Sequence, residues 1–235
     1  MKQLIKVLLI ISTLIFSYIF PSYSHEIQIE EIEKIIKNYL IKNPKLIKST
    51  LDDFKKTVEI EKKNKAITSL NDIKNPGIFN KNSNITIYEF FDYNCGYCKS
   101  VVNTIMDVIS EDKKIDLIFV ELPILSQDSY IAATAALAAE KQGLYNDFHL
   151  SLMKKRGRIN EDVIFKVAEK TGLNINQLKI DMKSQEIENK LKKNRNVAKL
   201  LNLNGTPAFI IGDTIYPGAL QKSNLKKIIK SFREK

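Results

Sequence analysis

A chain of 235 residues with a formal charge of +10 is long enough for one medium domain with an extension, or for two small domains. Its 44% hydrophobic and 9% aromatic content can fill a core, which excludes a disordered chain. The lysines are spread along the whole length, with no dense Lys/Arg tract interleaved with aromatics, so no nucleic-acid partner is expected.

In chain order, Lys2 and Lys6 precede an uncharged apolar run over residues 7–20, and Ser22 and Ser24 are small residues at the positions a signal peptidase reads. Residues 1–24 are therefore expected to be a signal peptide, with an uncleaved membrane anchor as the competing reading. Both place the remainder outside the cytosol, in the periplasm, where disulfides form and persist. Residues 25–76 read as a helical arm and linker. Ile29, Ile32, Ile35, Ile36, Tyr39 and Leu40 recur at helical spacing, Asn43 and Pro44 break the pattern, and Ile47, Leu51, Phe54 and Val58 resume it until it fades at Glu61 and Lys65. These stripes either fold back on the main domain or make residues 26–70 a self-association arm; two heptads are too few for a coiled coil. Asn, Asp, Pro, Gly and Ser over 71–83 mark a linker, with a short strand near Ile78 and Phe79.

ITIYEFF at 85–91 is apolar on both faces, as a covered central strand is. A helix over 101–109 and a strand over 114–121 complete a βαβ unit. Residues 128–203 read as helices alone, punctuated by Gly143, Gly157 and Gly172 and opened again at Asn160. After Gly205, a strand at 207–211 pairs with 214–216 across Gly212 and Asp213, and a helix over 220–232 closes the chain. This is an α/β, thioredoxin-like fold over 77–235, split by an all-helical insert at about 124–203 and preceded by the helical arm.

Cys95 and Cys98 are the two cysteines, set directly after the central strand. A disulfide closing so short a loop stabilises by roughly 2 kcal/mol or less, too little for a staple. Structural zinc needs four ligands, and the two histidines are His25, near the N-terminus, and His149, inside the insert. Copper(I) accepts two thiolates and stays as an alternative of a different class, although Met1, Met106, Met153 and Met182 are all remote from the pair in sequence. Redox chemistry fits best. A helix opening at Cys95 turns its free N–H groups and positive dipole end toward that sulfur, favouring the thiolate. Cys98, one turn later, can resolve a mixed disulfide, while Gly96 and Tyr97 tune the reduced form. Glu89 shares a strand face with Ile85, Ile87 and Phe91; it is either a desolvated proton shuttle for Cys98 or a carboxylate paired by lysine or reaching solvent. Thr206-Pro207 after Gly205 is a tight turn, cis or trans, and in the cis form leaves the Thr206 backbone free to pair with an extended peptide beside Cys95.

EFFDYNCGYCK followed by NGTPAFIIGD resembles the DsbA-like family of exported thiol:disulfide oxidoreductases from about residue 77 to the C-terminus. The resemblance implies that Cys95 is the exposed nucleophile, Cys98 the buried resolving cysteine, Glu89 the family's buried acid, and Pro207 a cis proline facing the pair. It implies cysteine-containing exported proteins or peptides as substrates, a membrane redox partner that resets the pair, and no cofactor beyond the redox-active disulfide itself. Gly96-Tyr97 replaces the usual Pro-His and is similar to the dipeptide of DsbC- and DsbG-type isomerases. The arm at 26–70 resembles the N-terminal extension of oligomeric relatives, some of them linked to copper tolerance. Net oxidation of substrate thiols is the first expectation, isomerisation or reduction the second.

Overall fold

The computed structural model describes residues 29–234; the leader at 1–24 and His25 lie outside the described residues. The chain divides into two compact units between Lys56 and Thr57. Helix α1 (Ile29–Lys42) ends where the Asn43 side-chain amide donates to the Tyr39 carbonyl at 2.8 Å, and Pro44 opens α2 (Pro44–Ile73) as its first residue. Helix α1 buries none of its residues, and Ile29, Ile35, Ile36, Tyr39 and Ile41 are all exposed.

Helix α2 runs on past Glu61 and Lys65, where its apolar pattern fades. Ala66, Leu70 and Ile73 recur one turn apart and bury against Tyr88, Phe90, Val120, Val197 and Ile210. The second unit begins at Thr57, and that stripe covers one face of its sheet.

The sheet is built from β1 (Gly77–Ile78), β2 (Ile85–Phe91), β3 (Ile115–Glu121), β4 (Ala208–Ile211) and β5 (Thr214–Pro217), in the order β1-β3-β2-β4-β5. Strands β2 and β3 are parallel, joined by α3 (Gly96–Glu111), and the other pairs are antiparallel. At Gly77 a Cβ would stand 2.4 Å from the Leu117 carbonyl oxygen, so only glycine lets β1 approach β3 this closely. The second sheet face is covered by α3 and by α9 (Lys222–Arg233), with Ile85, Ile87 and Phe91 packing on Val102, Ile105, Ile109, Leu225 and Ile229.

Between β3 and β4 the chain is helical. Helix α4 (Gln127–Lys141) is its axis: Ala132, Ala133, Ala135, Ala136, Ala138 and Ala139 are all buried, and these small side chains let α5 (Tyr145–Met153), α6 (Glu161–Lys170), α7 (Ile175–Asp181) and α8 (Gln185–Leu200) close around it. Ser126, Asn160 and Asn174 cap α4, α6 and α7 through their side-chain oxygens. The thioredoxin-like sheet with an all-helical insert is the fold the sequence pattern implies. Among the described residues, no helix is long and apolar enough to cross a membrane.

Candidate active site

Three segments meet at one end of the sheet: the turn after β2, the loop after β3 and the turn before β4. Because β2 lies between β3 and β4, the Cys95 turn is flanked on both sides, at the end where sheets with parallel strands place their ligands. Cys95 is the N-cap of α3. Its Sγ accepts the Cys98 N–H at 3.3 Å and donates to the Thr206 carbonyl at 3.2 Å. One sulfur is thereby held by a helix N-terminus and by the residue before Pro207. The Thr206–Pro207 peptide is cis.

The two thiols differ in environment. Cys98 is fully buried, and burial pushes its thiol well above the ordinary range; the hydrogen bond with Cys95 adds to this, while the Asp92 backbone and the Thr206 side chain oppose it. Cys95 is less open than the family resemblance implies. Only 6% of it is exposed, since the Thr206 turn lies against its sulfur. Of the two residues between them, Tyr97 is 72% exposed, and nothing stands within 4 Å of where a Gly96 Cβ would project.

Glu89 faces the α3 side of the sheet, between Phe119 of β3 and Phe209 of β4. It is buried, no Lys or Arg lies within ion-pair distance among the described residues, and desolvation pushes its carboxyl up to about 8.

Sequence reasoning passed over the supports of the turn. Asp92 is buried; its Oδ1 accepts from Asn94 N at 2.7 Å, and its Oδ2 accepts from Ile124 N at 2.9 Å and Leu125 N at 3.0 Å. Asn94 reaches the insert, accepting from Ile159 N at 2.7 Å and donating to Ile159 O at 3.0 Å. Tyr93 lies between them, its hydroxyl 2.9 Å from Glu121 Oε1 and 3.0 Å from His149 Nδ1. Tyr145 donates to the same Glu121 oxygen at 2.8 Å and stacks on His149. With Tyr93 donating to Glu121, His149 Nδ1 must carry the hydrogen it shares with Tyr93. Burial pushes Glu121 well above the carboxylate range and His149 down to about 3, both shifts favouring the uncharged forms. Lys99, one helical turn after Cys95, donates to the Gly157 carbonyl at 2.6 Å; burial lowers its pKa, against the attraction of Asp92 and Cys95. The sequence signal available was a run of polar residues, Asp92, Tyr93 and Asn94, between an apolar strand and the cysteines. Among the described residues, no group of three or more His, Cys, Asp or Glu side chains is placed to hold a metal ion.

The Tyr93 cluster is testable as a structural tie. Tyr93→Phe keeps the ring but leaves Glu121 and His149 each short of a partner. It should cost about 1–3 kcal/mol in urea unfolding; an unchanged midpoint would show that the tie carries no weight.

A thioredoxin-type sheet with Cys-Gly-Tyr-Cys at a helix start and the carbonyl before a cis proline against the first sulfur defines a thiol–disulfide site. The chain belongs to the DsbA-like thioredoxin domain family, whose model matches residues 86–230. It is similar to a thioredoxin-like oxidoreductase from Silicibacter pomeroyi, at 36% identity and TM-score 0.66 over 68% of this chain and 92% of that one. It is similar to the thiol-disulfide exchange protein α-DsbA2 from Wolbachia pipientis, at 29% identity and TM-score 0.69 over 75% and 96% of the two chains. A linker-deleted ScsC from Proteus mirabilis aligns over 90% of this chain and 98% of its own, at 26% identity and TM-score 0.65. The chain spans 23% of the length of the Na(+)/H(+) antiporter NhaA 1 from Salinispora arenicola, which it matches at 22% identity over 149 residues.

Proposed function

We propose that this protein is an exported thiol:disulfide oxidoreductase that oxidises the thiols of cysteine-containing proteins or peptides in the periplasm. The observation that carries the reading is the Cys95 sulfur held between the Cys98 N–H and the Thr206 carbonyl. In the oxidised enzyme, a substrate thiolate attacks Cys95 Sγ. The Cys95–Cys98 bond breaks, a mixed disulfide forms, and Cys98 leaves as a thiolate that takes up a proton. A second substrate thiol then attacks the substrate sulfur of the mixed disulfide and releases Cys95. The substrate loses two electrons and two protons, and the pair gains both. A membrane redox partner would return the pair to the disulfide.

The test is the equilibrium potential of the Cys95–Cys98 pair against glutathione, expected well above the glutathione couple. A potential near that of thioredoxin would replace oxidation by reduction or isomerisation. The exposed apolar stripe of α1 favours that second reading, because an isomerase assembled through residues 26–70 needs such a surface. A tight one-equivalent copper(I) complex without any thiol exchange would replace both.

A further inference from the structure

A groove of about 500 Å³ opens between the loop after β3 and helix α8, lined by Pro123, Ile124, Leu125, Tyr130, Leu191 and Arg195. Its wall is fastened to the nucleophile. Asp92 accepts the Ile124 and Leu125 N–H groups through its carboxylate, and its carbonyl accepts the Cys95 N–H at 3.1 Å. A single residue therefore ties the groove to the sulfur's own turn. Strand order places the groove on the β3 side of that turn and Thr206–Pro207 on the β4 side. A chain lying against Thr206 and crossing the Cys95 sulfur runs on toward the groove.

The chemistry of the lining is specific. Ile124 and Leu125 are large apolar side chains 40% and 54% exposed. Glu188 and Lys192 on the rim neutralise each other at 3.1 Å. Arg195 is exposed and anchored by Nη2 to the Pro123 carbonyl at 3.3 Å. No carboxylate lies within ion-pair distance of it among the described residues. An apolar wall beside an unmatched guanidinium fits a large apolar side chain next to a carboxylate.

We propose that this groove binds the segment flanking the reactive cysteine of a substrate polypeptide and selects an apolar residue adjoining Asp or Glu. The proposal rests on thiol exchange at Cys95. Thr206 supplies the backbone contact and the groove supplies side-chain selection, on the opposite side of the sulfur.

The test uses the oxidised full chain and three reductants: dithiothreitol, a cysteine peptide with Leu-Asp close to the cysteine, and the same peptide with Leu-Asp moved to its far end. The two peptides carry equal net charge, so long-range attraction to this basic protein cancels. Loss of the Cys95–Cys98 disulfide is followed by acid quench and mass spectrometry. The near peptide should react about threefold faster than the far one, the size of one exposed ion pair. Arg195→Glu should bring the ratio of the two rates to one or below, and Leu125→Ser should lower it. Equal peptide rates in the unaltered protein, or a ratio that neither substitution moves, would overturn the subsite while leaving thiol exchange standing. Failure of dithiothreitol and both peptides alike would overturn the exchange reading, and the subsite with it.

Discussion

Cys98→Ala should stop the enzyme halfway, with substrate covalently attached. The alanine variant keeps the Cys95 sulfur, the helix start beneath it and the Thr206 carbonyl beside it, so attack on a substrate disulfide still forms the mixed disulfide. What is lost is the second thiol, one helical turn away, which is the internal nucleophile. Its advantage is proximity: the bimolecular alternative needs a free thiol to find the sulfur of a buried residue. Disulfide-reducing turnover should fall by at least ~10²-fold, within the range that effective molarity supplies. A non-reducing gel should show a stable adduct at Cys95, absent from Cys95→Ala, which should have neither adduct nor turnover. Unchanged turnover in Cys98→Ala would mean that Cys95 acts alone and that external thiols resolve its adducts.

The parts of this site that are contiguous in the chain were legible in the sequence. A cysteine pair after a two-sided apolar strand fixes a strand-to-helix junction, and strand parity alone puts Glu89 on the face of Ile85, Ile87 and Phe91. Both follow from periods of 2 and 3.6 that need no tertiary information. The end of the arm was harder, since Ala66, Leu70 and Ile73 are spaced as a helix stripe but embedded among lysines and asparagines. Only the facing residues Tyr88, Phe90 and Val197 reveal that the stripe is buried. The Tyr93, Glu121, Tyr145 and His149 cluster was not legible. Its members come from a turn, a strand end and a helix of the insert, and nothing local to any of them distinguishes a core polar residue from a surface one. The same holds for Asp92, whose carboxylate is satisfied by backbone N–H groups more than 30 residues away. A buried polar residue is identified by its partners, and partners are tertiary facts. The limited exposure of Cys95 belongs here as well, because it depends on a turn 111 residues away.

Glu89→Gln should flatten the pH dependence of stability and slow the Cys98 half of the reaction. The folded protein holds the Glu89 proton up to about 8, whereas an ordinary carboxyl releases it near 4.5. Between those values the folded chain binds one more proton than the unfolded chain, so stability is greatest below the lower value and declines as pH rises, by about 1.4 kcal/mol per pH unit, until the folded group ionises. Glutamine has no proton to release, so the Glu89 share of the decline, read as the difference between the urea midpoints of the two proteins from pH 5 to pH 8, should vanish in the variant, while the buried Glu121 and His149 contribute the same pH dependence to both. When a substrate thiolate opens the Cys95–Cys98 disulfide, Cys98 departs into a site that disfavours its thiolate, and in the exchange proposed above the hydrogen would come from neutral Glu89, whose strand face is the one covered by α3. In the reverse direction of the proposed exchange the carboxylate would take it back. Loss of a positioned acid or base costs ~10²-fold or more in such transfers. Single-turnover release of Cys98 should therefore slow by about that factor in Glu89→Gln, and the ionisation near 8 should vanish from its pH profile. A variant that keeps the unaltered rate and profile, yet loses the pH dependence of stability, would make Glu89 a buried acid with no part in the exchange.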